Sequence, residues 1–247
     1  MPPAVAVRGT RCEDNNKKMR KTIIILILSV GFINLNAQAN HSTENEYFVF
    51  WQPNTKINFS HFQAESDTSC IFSVAGHNFQ MSATIRLESV VDIPKRRRDR
   101  RRKFDRLYLA PVFCKHCSCI LSEDSLELKA FQLLFDIAEV SARGIRRDLS
   151  EFREKANAVN LYSMWFTTVR TSWENTMRGI WASIFRDVFI EPKEDAYKQW
   201  RETVNEFLKQ SETHATRPEE IYRFIRGKPV ERGYQVAPTI MGDLGSR

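Results

Sequence analysis

The chain has 247 residues and a formal net charge of +7, with 42% hydrophobic and 27% charged residues. The whole excess comes from one run, Lys95 to Lys103, whose eight basic residues and one acidic residue carry a net +7. The remainder is neutral, which excludes a chain that is polycationic throughout and makes any attraction to polyanions local. No G-x-S-x-G turn, phosphate-binding loop or dinucleotide-binding glycine pattern occurs, so the enzyme classes built on those devices are excluded as well.

Ile23 to Leu35 is an apolar run of 13 residues, preceded by Lys17, Lys18, Arg20 and Lys21 and followed by Ala37, Gln38 and Ala39. That layout is a secretory signal peptide with a small-x-small cleavage site, and the run falls short of the roughly 20 residues that cross a bilayer. Residues 1–39 are therefore expected to be an export segment. Met19 is the expected true start, because the residues before it would make a long n-region of mixed charge. The mature chain is expected to be periplasmic or extracellular, with no span left after cleavage. Cys12 leaves with the export segment, and Cys70, Cys114, Cys117 and Cys119 remain, an even number suited to an oxidising compartment.

From about Glu46 to Leu121, β-branched and aromatic residues come in short runs broken by turn residues, which predicts strands. Phe79, Met81, Ala83, Ile85 and Leu87 alternate with polar residues, so one face is expected to be buried. Gly76, His77 and Asn78 mark the turn before them, and Leu107 to Ile120 resumes the strand pattern. Short connections favour an antiparallel sheet.

The basic run, Lys95, Arg96, Arg97, Arg98, Arg100, Arg101, Arg102 and Lys103, lies between two strand regions and reads first as a solvated loop. Its functional reading is an anion-binding patch for lipid headgroups or polysaccharide. Nucleic acid is disfavoured, because aromatic interleaving is absent apart from Phe104. Cys114, His116, Cys117 and Cys119 supply enough soft ligands for a metal. On a strand, however, Cys117 and Cys119 share a face and Cys114 points the other way, which favours disulfides or buried thiols. Cys70 is expected to pair with one of the other three.

Beyond Ser122 the period becomes helical. Ser122, Glu123 and Asp124 supply a cap and an acidic first turn. Phe131, Phe135, Ala138, Ala142, Ile145, Leu149, Phe152 and Ala156 then form one apolar stripe. A second helix is expected from Asn160, with Leu161, Trp165, Val169, Trp173, Met177, Ile180, Ile184 and Val188 facing inward. Trp181 falls off that stripe and becomes a candidate partner contact. Pro192 separates a third helix carrying Tyr197, Trp200, Val204 and Phe207, and a fourth is expected between a Thr216/Glu219 capping box and Gly227. The expected fold is α+β: an N-terminal antiparallel sheet followed by and packed on several helices. Residues 40–227 would be a single domain and 228–247 a loosely ordered tail.

The segment Ala130, Phe131, Gln132, Leu133, Leu134, Phe135, Asp136, Ile137, Ala138, Glu139, continuing to Ala142 and Arg143, resembles the H-E-Q-x-H-F-D-I-A-E-x-x-A-R helix of a family of bacterial exported domains of unknown function. That family is predicted to consist of zinc-dependent proteases. Upstream, Phe59, Ser60, His61 and Phe62 are similar to the family's W-x-D-F segment, with His61 in the Asp position. The resemblance covers about residues 45–155 and implies a zincin-like scaffold; residues 160–227 form the helical remainder.

In an H-E-x-x-H helix the two histidines bind Zn²⁺ and the glutamate acts as general base. Here Ala130 and Leu134 stand in the histidine positions and Phe131 in the glutamate position. The resemblance thus implies a catalytically silent relative that needs no cofactor and acts by binding an unidentified protein or envelope partner. Two alternatives remain: an active hydrolase with a metal site assembled from His61, His116 and the cysteines, and an envelope protein that holds anionic lipid or polysaccharide on its arginine-rich loop.

Overall fold

In the computed structural model, residues 42–66, 70, 72–156 and 161–238 are described. The expected export segment, 1–39, and the end of the tail lie outside them. Two long strands organise the sheet: β5 (Ile85–Pro94) and β6 (Arg106–Cys114) pair antiparallel, with Ile85 opposite Phe113 and Asp92 opposite Arg106. β1 (Phe48–Phe50) joins β6 on one side and β8 (Tyr234–Val236) joins β5 on the other, giving the order β1-β6-β5-β8. Two small antiparallel pairs flank this sheet: β2 (Phe72–Val74) with β3 (His77–Phe79), and β4 (Met81–Ser82) with β7 (Cys119–Ile120). With four α-helices among the described residues, the fold is α+β.

Two strand expectations are corrected. The alternating run Phe79 to Leu87 is not one strand, because β3, β4 and β5 pair with different partners. Of its five expected inward residues, Phe79, Met81, Ile85 and Leu87 are nevertheless buried, and Ala83 is half-buried. The turn falls at Ala75 and Gly76, both at positive φ, and His77 and Asn78 already belong to β3.

The loosely ordered tail is also corrected at residues 234–236. There, β8 uses the open backbone groups of Asp92 to Pro94, and Tyr234 Oη donates to Phe104 O at 3.0 Å. Stretches of β1 and β5 that no strand pairs are met by other groups. Phe50 N donates to Thr43 O beside β1, while Ala237 N donates to Val91 O and Arg170 Nη2 to Leu87 O along β5.

Helix α1 (Ser125–Ala156) starts at Asp124 rather than Ser122, since Asp124 Oδ1 accepts the N–H groups of Leu126 and Glu127. From Ala130 to Ile145 nearly every residue is buried, so the expected single stripe is only half of the picture. The sheet covers one side, and α2 (Leu161–Phe185) and α3 (Ala196–Gln210) cover the other. At Gly144 a Cβ would overlap the Trp173 ring, which is how α2 comes so close. Phe152, outside the enclosed stretch, is exposed and stacks on Trp165.

Phe166 occupies the inward position expected for Trp165, and Trp181 is half-buried against the core rather than offered to a partner. After α2 the chain widens into a turn over Arg186–Ile190 that carries Phe189 onto Phe79. Helix α4 (Pro218–Arg226) begins at Arg217, whose N–H donates to Glu220 Oε2, and ends at Gly227 in the left-handed region. The expected Thr216/Glu219 box is corrected because Thr216 bonds elsewhere. No described helix is long and apolar enough to cross a membrane.

Candidate functional site

The three positions that would hold zinc and move the proton in the resembled family all lie in the packed interior. Ala130, Phe131 and Leu134 are 0%, 2% and 3% exposed. Phe131 sits between the rings of Phe62 and Phe185, at centroid distances of 6.1 and 6.3 Å. The upstream segment and the helix are therefore brought together through hydrocarbon contact. Burying Phe131 and Leu134 contributes about 1.5 to 3 kcal/mol each. His61 does not face the helix centre: its Nε2 pairs with Glu44 Oε2 at 3.6 Å, and its Nδ1 accepts Asn58 N–H. Burial holds its pKa below the ordinary histidine value.

The four polar residues shared with the family motif face away from the stripe, yet they are buried too. Asp136 accepts from Trp51 Nε1 at 2.7 Å, from Gln132 Nε2 at 3.2 Å and from Arg201 Nη1 at 2.5 Å. Gln132 Oε1 in turn accepts Ile57 N–H. Glu139, fully buried, accepts from Thr216 N, from Thr216 Oγ1 and from Arg143 Nε at 2.8 Å. The Arg143 guanidinium lies over the Trp51 ring and donates to Leu208 O.

Next along the helix, Arg146 joins Leu109 O of β6, His214 O, Thr216 Oγ1 and Glu220. These side chains tie the helix to the loop after β1, to α3 and to the entry of α4. Removing one partner would leave a buried charge uncompensated, at a cost of about 3 to 5 kcal/mol. With every carboxylate oxygen engaged, neither acid is placed to activate water.

Periodicity alone gives no sign of Trp51, Arg201 and Thr216 as partners, which lie 85, 65 and 77 residues from the carboxylates they hold. The bidentate pair of Arg223 with Asp92 on β5, at 2.7 Å for both contacts, is equally silent in sequence.

Every described cysteine is in a disulfide. Cys70 bonds to Cys119, and Cys114 bonds to Cys117. The expected continuous strand through this region is corrected: β6 stops at Cys114, Lys115–Cys117 make a tight turn, and that turn points Cys117 back at Cys114. The metal site drawn from His61, His116 and the cysteines is not assembled. Among the described residues no thiolate is left to ligate, His116 is exposed with its ring edge on Tyr47, and His61 is held by Glu44. Among the described residues, no three His, Cys, Asp or Glu side chains converge as ion ligands.

The basic run forms the tip of the β5–β6 hairpin, with a single helical turn at Asp99–Arg101. Arg100 folds back, its Nε donating to Pro94 O at 2.9 Å. Asp99 draws in Lys103 at 3.4 Å and Arg98 at 3.7 Å. Lys95, Arg96, Arg97, Arg98, Arg101, Arg102 and Lys103 are exposed, so seven cations share one projecting loop. Phe104, at its base, lies under the Arg153 guanidinium.

No family model matches the chain, and no curated protein or solved structure is found to be similar to it.

Proposed function

We propose that the chain is an exported, non-hydrolytic relative of the zinc-protease-like family it resembles, acting in the cell envelope by binding. The observation that carries this reading is the burial of Ala130, Phe131 and Leu134 in a helix whose remaining acids are bonded internally. Such a helix can hold neither an ion nor a nucleophilic water. The test is an assay of the purified mature protein on unstructured peptides with added zinc. The expected outcome is no cleavage above that of a Phe131→Ala control, and cleavage that a chelator abolishes would overturn the reading.

The seven exposed cations at the hairpin tip favour an anionic envelope surface as the thing bound. Each Lys or Arg near such a surface contributes about 1 kcal/mol, and the attraction is screened by salt. Sedimentation with vesicles containing phosphatidylglycerol should show binding that falls as salt rises. It should vanish when Arg96, Arg97, Arg98, Arg100, Arg101 and Arg102 become Ser, and binding that survives those substitutions would remove the loop from the account.

A further inference from the structure

The two disulfides differ in what can reach them. Cys70 and Cys119 are 0% and 8% exposed, whereas Cys117 opens to solvent with Cys114 behind it at 4%. Cys114 and Cys117 are also three residues apart, with Lys115 and the exposed His116 between them. We propose that the Cys114–Cys117 pair is a thiol–disulfide exchange site that oxidises dithiols of polypeptide substrates. This does not depend on the reading of the helix as non-hydrolytic.

Exchange requires a thiolate to reach one sulfur of the bond, and of the two residues Cys117 is the exposed one. A Cys-x-x-Cys spacing with a histidine beside the attacked cysteine favours the thiolate that later leaves. Lys115 is spoken for, its Nζ bonded to Glu44 Oε2 at 2.8 Å and to Asn45 O at 2.9 Å, which leaves His116, the exposed residue before Cys117 in the chain with its ring edge on Tyr47, as the basic side chain the turn offers. The corner also keeps its shape without the S–S bond. Cys114 N donates to Thr84 O, Thr84 Oγ1 to Cys117 O, Ser118 Oγ to Cys114 O, and Thr84 N to Ser118 Oγ. None of these contacts runs through sulfur, and the buried Cys70–Cys119 bond braces the chain two residues further on.

The chemistry balances as follows. A substrate thiolate attacks Cys117 Sγ, the Cys114–Cys117 bond breaks, and its electron pair leaves on Cys114, which takes up a proton. The second substrate thiol loses its proton and attacks the substrate sulfur of the mixed disulfide, releasing Cys117 as thiolate. Two electrons have passed from substrate to protein. A small-molecule disulfide, as co-reactant, restores the pair by the reverse steps.

The full chain, equilibrated in a series of glutathione redox buffers and trapped by alkylation, should lose Cys114–Cys117 while Cys70–Cys119 and the circular dichroism spectrum persist. In oxidised glutathione, the protein should accelerate disulfide closure in a reduced two-cysteine peptide. Cys117→Ser should bring the rate down to that of glutathione alone. Cys114→Ser, incubated with oxidised glutathione without peptide, should hold a glutathione mixed disulfide on Cys117 that mass spectrometry reads, and His116→Phe should raise the pH at which Cys117 is alkylated. Reduction of both disulfides together, or a wild-type rate equal to that of glutathione alone, would overturn the proposal.

Discussion

The middle of α1 and the turn after β6 each gather reactive side-chain types within a few residues, and they treat them in opposite ways. In α1, Asp136 and Glu139 are buried and have every oxygen met by a donor. At the turn, a sulfur and an imidazole stand in the open on a backbone braced by Thr84 and Ser118. A carboxylate with its hydrogen bonds filled is an element of architecture, and a sulfur with a free approach is an element of chemistry. Residue type proposes the role, and access together with a bond that can be exchanged decides it.

The sharpest way to break this contrast is to open the interior. Phe131→Ala should cost about 3 to 5 kcal/mol in a urea titration, because the ring fills the space between Phe62 and Phe185. A cost below about 1 kcal/mol would mean that the helix centre is not sealed.

The disulfides give the next largest effect, and they rank by loop length. Cys70–Cys119 spans 49 residues and Cys114–Cys117 only 3, so removing the first should cost about 4 kcal/mol and the second about 2. Differential scanning calorimetry of the two Cys→Ser double variants measures the order, and a reversed order would contradict the division into brace and exchange site.

The smallest effect belongs to Glu44, whose carboxyl the Lys115 hydrogen bond holds below its ordinary value of 4.5. A lowered folded-state pKa stabilises above the ordinary value and is lost as pH falls through the lowered one. Glu44 is about half exposed, so Glu44→Gln should destabilise by only ~0.2 to 1 kcal/mol at neutral pH. The difference between the two proteins should close as the pH drops, which paired urea titrations would read.

Much of the architecture was legible because it rests on local pattern. The 4-3 spacing from Phe131 to Leu149 and the alternation from Phe79 to Leu87 report burial wherever the neighbours come from. What escaped was whatever a distant partner decides. Asp136 reads as a solvent-facing acid until Trp51 and Arg201 arrive from opposite ends of the chain. Ser122 reads as the cap of α1 and Asp124 as part of its acidic first turn, and only the backbone path makes Asp124 the cap.

The candidate site divides in the same way. The loss of zinc ligands at Ala130 and Leu134 is visible in the letters alone. The open approach to Cys117 is not, because it depends on a turn that ends the strand one residue after Phe113.

The covered borders of the sheet carry a consequence for how copies of the protein meet. Thr43 closes the border beside Phe50, and the Arg170 guanidinium and the Ala237 amide take carbonyls that β5 would otherwise present. Along those stretches an incoming peptide finds few main-chain groups to zip onto, and recognition there passes to projecting side chains.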